Sequence, residues 1–148
     1  MTTEVTIYEM SEAEAVNAKA TDDINRLLAQ LSSTPYHITT DRLRLMVQNA
    51  DSHLFGATKG ADNVGNINVG CETSPTGRKA CIEDVVTDAS VRGQGIGKAL
   101  VQKAIAFLST LSPCSVLLPS RPSRLAANAL YQKLGFPPKE TNVYTMKL

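Results

Sequence analysis

The sequence predicts a single mixed α/β domain in which a largely antiparallel sheet is flanked by helices. Three observations predict it. Several stretches alternate apolar and polar residues at the two-residue period of strands, others repeat apolar residues at helical spacing, and the mid-chain strands are joined by short turn-forming links that favour antiparallel pairing. At 148 residues and 43% hydrophobic content, the chain encloses one core, and the domain is expected to run over residues 1–148.

Taken in order, "EVTIYEM" alternates Val5 and Ile7 against Thr6 and Tyr8 and reads as a first strand. Ser11 with Glu14 matches a capping box, after which Val16, Ala20, Ile24, Leu27, Leu28 and Leu31 continue one long helix. "SSTPYHITT" is a loop by its Ser, Thr and Pro content, and Leu43, Met46, Val47 and Ala50 mark a short helix entered through Thr40 and Asp41. "HLFGATK", "VGNINVGCE" and "KACIEDVVT" are strands separated by the turn formers "GADN" and "SPTGR". Ile96, Leu100, Ala104, Phe107, Leu108 and Leu111 hold the helical period until Pro113 ends it, and "CSVLL" is a short buried strand. "SRLAANALYQKLGF" is a helix closed by Gly135 and capped by Ser120 or Ser123, with Leu130 and Leu134 toward the core. "NVYTMKL" alternates Val143, Thr145 and Lys147 against Tyr144, Met146 and Leu148 as a last strand.

Fifteen basic and fourteen acidic side chains leave a formal charge of +1, so no overall field collects nucleic acid or an anionic membrane surface. The apolar runs are short and the start lacks a basic segment followed by an apolar core, which predicts a soluble, cytoplasmic protein. Cys71, Cys81 and Cys114 are odd in number and far apart, which argues against a disulfide framework. His37 and His53 have no partner at ligand spacing, and no metal site is expected.

Gly93, Gly95 and Gly97 stand where the acidic, β-branched stretch "IEDVVT" gives way to a helix. Each glycine costs about 0.5–1 kcal/mol relative to alanine in regular structure, so three in five residues need a reason beyond a tight connection. A helix N-terminus presenting free backbone N–H groups suits a phosphate or pyrophosphate. The dinucleotide fingerprint fits poorly because the glycines recur at every second position. A P-loop fails at Arg92 and Ala99.

The pattern that does fit is [RQ]-x-x-G-x-[GA], met by Arg92, Gly95 and Gly97 after "IEDVVT". With "NALYQKLGF" downstream and the same order of elements, the chain resembles the acetyl-CoA-dependent N-acetyltransferases of the GNAT superfamily. The resemblance implies a sheet splayed at its middle between "KACIEDVVT" and "CSVLL", with acetyl-CoA as cofactor. It assigns the pyrophosphate to Arg92, Gly93, Gln94, Gly95, Ile96, Gly97 and Lys98, the pantetheine arm to main chain of Val85, Val86 and Thr87 beside a bulge, and further cofactor contacts to Asn128 and Tyr131.

The implied reaction moves an acetyl group to a primary amine, which raises two proton problems. Holding a lysine-like amine neutral at pH 7 costs roughly 4.6 kcal/mol, so a base is needed, and the departing thiolate needs a proton or a hydrogen bond. Glu83 is the candidate base. Tyr131 is the candidate acid, on a helical face with Arg124 and Asn128. Asp84 and Ser120 join Glu83 on the acceptor side, although neighbouring carboxylates face opposite ways unless the strand bulges. No cysteine sits in a Cys-His arrangement, which favours direct attack over an acyl-enzyme. "IEDV" is similar to the segment in glucosamine-6-phosphate acetyltransferases. The acceptor, a small molecule or a protein amine, stays open, as does a coenzyme A-binding module without turnover. A last strand able to pair with another edge allows a homodimer.

Overall fold

The computed structural model describes residues 4–148. Strands β1 (Val5–Glu9), β2 (Ser52–Lys59), β3 (Asp62–Ser74), β4 (Gly77–Thr87) and β5 (Cys114–Leu117) form one sheet in that spatial order. The first three pairings are antiparallel and the last is parallel. Helices α1 (Glu12–Ala15), α2 (Ala18–Leu31) and α3 (Thr40–Gln48) precede β2, α4 (Ile96–Ser109) links β4 to β5, and α5 (Leu125–Lys133) follows β5.

Strand alternation divides the core into two layers. Phe55, Ile67, Val69 and Ile82 are fully buried with Leu100 and Val101 of α4. Leu54 points the other way, into a smaller cluster with Ile24, Ile38 and Leu43 from α2, α3 and their loop. Burying each such side chain contributes about 1.5–3 kcal/mol, so the sheet's middle is anchored on both faces.

The long first helix predicted from the sequence is two helices. Glu14 accepts from the Ser11 N–H at 2.8 Å, as the capping box requires, but Asn17 then starts a second helix by accepting from the Lys19 N–H at 2.8 Å. Asparagine favours that role over a helix interior because its side chain competes for backbone groups. The break leaves Val16 exposed. A second correction concerns α5: Arg124 occupies the N-cap position with no side-chain cap, so neither Ser120 nor Ser123 caps it. The third concerns "NVYTMKL": residues 142–148 form no strand and lie exposed. Among the described residues, no helix is long and apolar enough to cross a membrane, and all three cysteines are free.

One polar node ties α2 to the β4–α4 connection. Asp88 accepts from the Ser90 N–H at 2.9 Å and hydroxyl at 2.7 Å, and from Gln30 and Arg26. Arg26 also donates to the Asn63 carbonyl at 2.8 Å, and the Ala89 N–H donates to Gln30 at 2.8 Å. The Ser90 hydrogen bonds, with help from Gln30 and Arg26, hold the Asp88 carboxyl down at about 2. A carboxyl whose folded pKa lies below its unfolded value near 3.9 contributes stability that is full above about pH 3.9 and is lost as pH falls through about 2. Asp88→Asn is therefore expected to destabilise the fold by about 2 kcal/mol at pH 7. In urea melts the gap between wild type and variant should narrow below pH 4 and close near pH 2; a gap independent of pH would contradict this role.

Candidate active site

β4 and β5 pair only from Arg78–Cys114 to Cys81–Leu117, and beyond Cys81 β4 continues to Thr87 paired with β3 alone. Where they part, β4 bulges: Asn66 opposes Val86 and Asn68 opposes Glu83, so Asp84 and Val85 together oppose Ile67. Asp84 takes a left-handed conformation at φ 54°, which aspartate tolerates better than most residues. The extra residue resets the alternation, so Val85 and Val86 are both buried.

Two cavities flank this stretch. On one side lies a cleft of about 610 Å³ lined by Val85, Val86 and Thr87 of β4, the turn residues Arg92, Gly93 and Gly95, the start of α4 (Ile96, Gly97, Lys98), and Arg124, Leu130 and Tyr131 at α5. On the other lies a hollow of about 800 Å³, bounded by the α3–β2 turn, Asn68 and Gly70 of β3, Cys81 and Glu83 of β4, Ser115 and Leu117 of β5, and Lys139.

The turn is built to leave backbone uncovered. Gly93 and Gly95 both hold φ 79°, a left-handed conformation that favours glycine. A Cβ added at either would meet no heavy atom within 4 Å. Gly95 is the N-cap of α4 and, lacking a side chain, caps nothing, so the first N–H groups of α4 have no helical partner and face the cleft at the positive dipole end.

Tyr131 lines the cleft and is 5% exposed. Burial raises its pKa, against the opposing pull of Arg124. The hydroxyl thus stays protonated throughout the neutral range and can donate. Arg124 donates from Nη2 to the Val85 carbonyl at 3.2 Å, bridging α5 to the bulge across the gap between strands. Asp84's pKa is raised by desolvation and by the charge of Glu83. The Cys81 thiol donates to Glu83 Oε1 at 3.4 Å, and burial with that carboxylate pushes it up to about 11. A thiol so protonated is a poor nucleophile at neutral pH.

The structure thus gathers most of the sequence-predicted residues at one place but on two sides. Val85, Val86, Thr87, Arg92, Gly93, Gly95, Ile96, Gly97, Lys98 and Tyr131 meet in the cleft, while Glu83 faces the hollow. Four stand outside both linings. Gln94 accepts from Lys59 Nζ at 3.0 Å, Asn128 donates to the Arg121 carbonyl at 3.0 Å, Asp84 sits on the bulge, and Ser120 Oγ is buried without a partner. His37, in the loop ahead of α3, is exposed and outside the hollow.

Sequence reasoning missed Gln30 and Leu31, which bring α2 to the cleft, and Asn68. Asn68 Oδ1 is buried without a hydrogen-bond partner, directly across the ladder from Glu83. The signal was the alternation in "NINV", with Asn66 and Asn68 on the face opposite Ile67 and Val69, but only the bulged register reveals which residue Asn68 faces.

Comparison with known proteins gives a consistent picture. The sequence profile of the acetyltransferase (GNAT) family matches residues 21–136. No curated protein sequence matches significantly. Among solved structures, the chain is similar to an aminoglycoside acetyltransferase, meta-AAC0020, from an uncultured soil metagenomic sample, with a TM-score of 0.83 and 17% identity over 97% of this chain and 95% of that one. It is similar also to a ribosomal-protein-alanine N-acetyltransferase from Brucella melitensis biovar Abortus 2308 (TM-score 0.75, 18% identity, 98% and 99% covered). A third is the glucosamine-6-phosphate N-acetyltransferase of Arabidopsis thaliana (TM-score 0.79, 19% identity, 97% and 98% covered). At these identities the likeness establishes the shared fold.

Proposed function

Since the chain belongs to the acetyltransferase (GNAT) family, we propose that it moves an acetyl group from acetyl-CoA to a primary amine, the amine attacking the thioester directly while both substrates are bound. The observation that carries this reading is the parting of β4 from β5 with a cavity on each side of the stretch from Glu83 to Val85.

The residues in the cleft fit the cofactor. The two left-handed glycines leave space where side chains would stand, and the uncapped start of α4 offers N–H groups to a diphosphate. Arg92 and Lys98 add positive charge along the same wall. When bound, acetyl-CoA supplies an activated acetyl thioester. Main chain at Val85 and Val86 would align the arm that carries it.

Chemistry then divides between the cavities. Glu83, on the hollow side, takes a proton from the incoming ammonium, and Asn68 Oδ1 opposite accepts a second N–H, which orients the nitrogen toward the gap. Tyr131, on the cleft side, gives a proton to the departing sulfur. The elevated Cys81 thiol and its lack of a histidine partner favour direct transfer over an acyl-cysteine.

Thiol release from acetyl-CoA, measured across aminoglycosides, amino sugars, polyamines, amino acids and peptides with a free N-terminal amine, tests the proposal. Saturable turnover with one of these classes is expected. Coenzyme A binding without release on any acceptor would instead identify a binding module. Glu83→Gln is expected to lower kcat/KM by about 10-fold or more at pH 7, and the loss should shrink as pH rises toward the amine's own pKa, because the acceptor then loses its proton unaided. A loss constant with pH would remove Glu83 as the base.

A further inference from the structure

We propose that Arg124 is a positioning residue for the reaction: its guanidinium ties the helix that carries Tyr131 to the bulge of β4 and stands as a cation beside the hydroxyl that protonates the departing sulfur. This role rests on the reading of Tyr131 as the acid. Arg124 is half-buried at the N-cap position of α5 and lines the cleft together with Tyr131. The two are seven positions apart, about two helical turns, so they share a face. A helical side chain leans toward the N-terminus of its helix, which brings the Tyr131 ring back toward Arg124.

The guanidinium serves two acceptors. Its Nη2 donates to the Val85 carbonyl at 3.2 Å. Val85 belongs to the bulge, beyond the last pairing of β4 with β5 and without a partner of its own in the β3 register, so the arginine bonds to main chain where the ladder is interrupted. The second acceptor is the phenol oxygen. Burial pushes the Tyr131 pKa up, and the charge of Arg124, with a hydrogen bond to that oxygen, pulls it back. Arginine carries donors alone, so the N–H is donated to the phenol and the tyrosine's own proton is left for a different acceptor. Arg92 and Lys98 share the cleft from the turn and the start of α4; Arg124 is the charge that acts on the tyrosine.

Protonating a thiolate from a buried tyrosine requires such a cation. A cysteine-like thiol, at about 8.5, is a stronger acid than a phenol at about 10, and burial widens the gap. Transfer of the proton to sulfur therefore runs uphill unless positive charge favours the phenolate. Tyr131 gives its proton to the sulfur that keeps the electron pair of the broken C–S bond, and the phenolate left behind sits beside Arg124 until water restores the proton. Arg124 acts through the tyrosine rather than on the sulfur.

Two measurements on the full chain test this role, with Arg124→Met, which keeps the length of the side chain and removes its charge, and Arg124→Lys, which keeps the charge. Arg124→Gln, also uncharged, replaces the methionine variant if the latter's circular dichroism spectrum departs from wild type. The first measurement needs no substrate. Fluorine NMR is recorded on protein carrying ring-fluorinated tyrosine, whose more acidic phenol titrates while the fold is intact, and the Tyr131 signal is assigned by its loss in Tyr131→Phe. Its titration midpoint should lie about one pH unit higher in the methionine variant than in wild type, and close to wild type in the lysine variant. The second measurement is a double-mutant cycle on kcat. Arg124→Met alone should lower kcat by about 10-fold with the coenzyme A dissociation constant changed by less than about threefold, and should lower it hardly further in the Tyr131→Phe protein. A midpoint unmoved by the methionine variant, an equal rise in both variants, or a loss of kcat undiminished in the Tyr131→Phe protein would each overturn the proposal. A Tyr131→Phe protein as fast as wild type would overturn the acid reading and the proposal with it, and the midpoint, read without turnover, tells that failure from the others.

Discussion

Gly95→Val is expected to abolish measurable coenzyme A binding while leaving the protein folded. The argument rests on where a side chain would go. Gly95 lines the cleft, and a Cβ there meets no protein atom within 4 Å, so an isopropyl group would fill the space left for the ligand instead of clashing with the core. At φ 79° a β-branched residue is also strained by about 1–3 kcal/mol. The turn would relieve that strain by rotating, which re-aims the N–H groups at the start of α4. A loss of at least about 100-fold in affinity, or about 2.7 kcal/mol, follows if two such hydrogen bonds to a charged diphosphate go. Gly77→Val is the control, because Gly77 has φ 121° and open space on the β3–β4 turn, outside both cavities. Calorimetric titration should find the control binding normally. Unchanged binding by the Gly95 variant would mean that the diphosphate sits elsewhere.

Tyr131→Phe is expected to lower kcat by about 100-fold with little change in cofactor affinity. The ring is 5% exposed and packs in the main core, so phenylalanine preserves the packing and removes only the hydroxyl. Burial raises the tyrosine pKa above its ordinary value near 10. The sign matters: raising it keeps the proton on the oxygen through the whole working range, so the wild-type kcat should show no tyrosine-dependent fall below about pH 10. Single-turnover measurement separates the chemical step from product release. Equal chemical rates in the two proteins would take Tyr131 out of the reaction.

The cleft was largely legible in the sequence because its wall is local. Glycines at alternate positions after a β-branched stretch, with Ile96, Leu100 and Ala104 following at helical spacing, mark a strand, a turn and a helix within about 25 residues, and each is a short-range choice. The hollow was much less legible. Its sides come from β3, β4, β5 and the α3–β2 turn, and only the bulge at Asp84 sets Asn68 opposite Glu83. Asn128 shows the reverse case: its spacing from Tyr131 promised a shared face, but a hydrogen bond to the Arg121 carbonyl holds it outside the cleft lining.

The sequence by itself determined the element types, most of their order and the anion-suited turn, since periodicity, caps and glycine conformations depend on residues a few positions apart. Tertiary structure decided what no local pattern encodes: that β4 leaves β5 after Cys81, that Arg124 reaches the Val85 carbonyl, and that residues 142–148 stay unpaired. The physical reason is that an edge or a side chain finds its partner through the packing of distant segments, and whether "NVYTMKL" becomes a strand depends on a neighbour that its own seven residues do not contain.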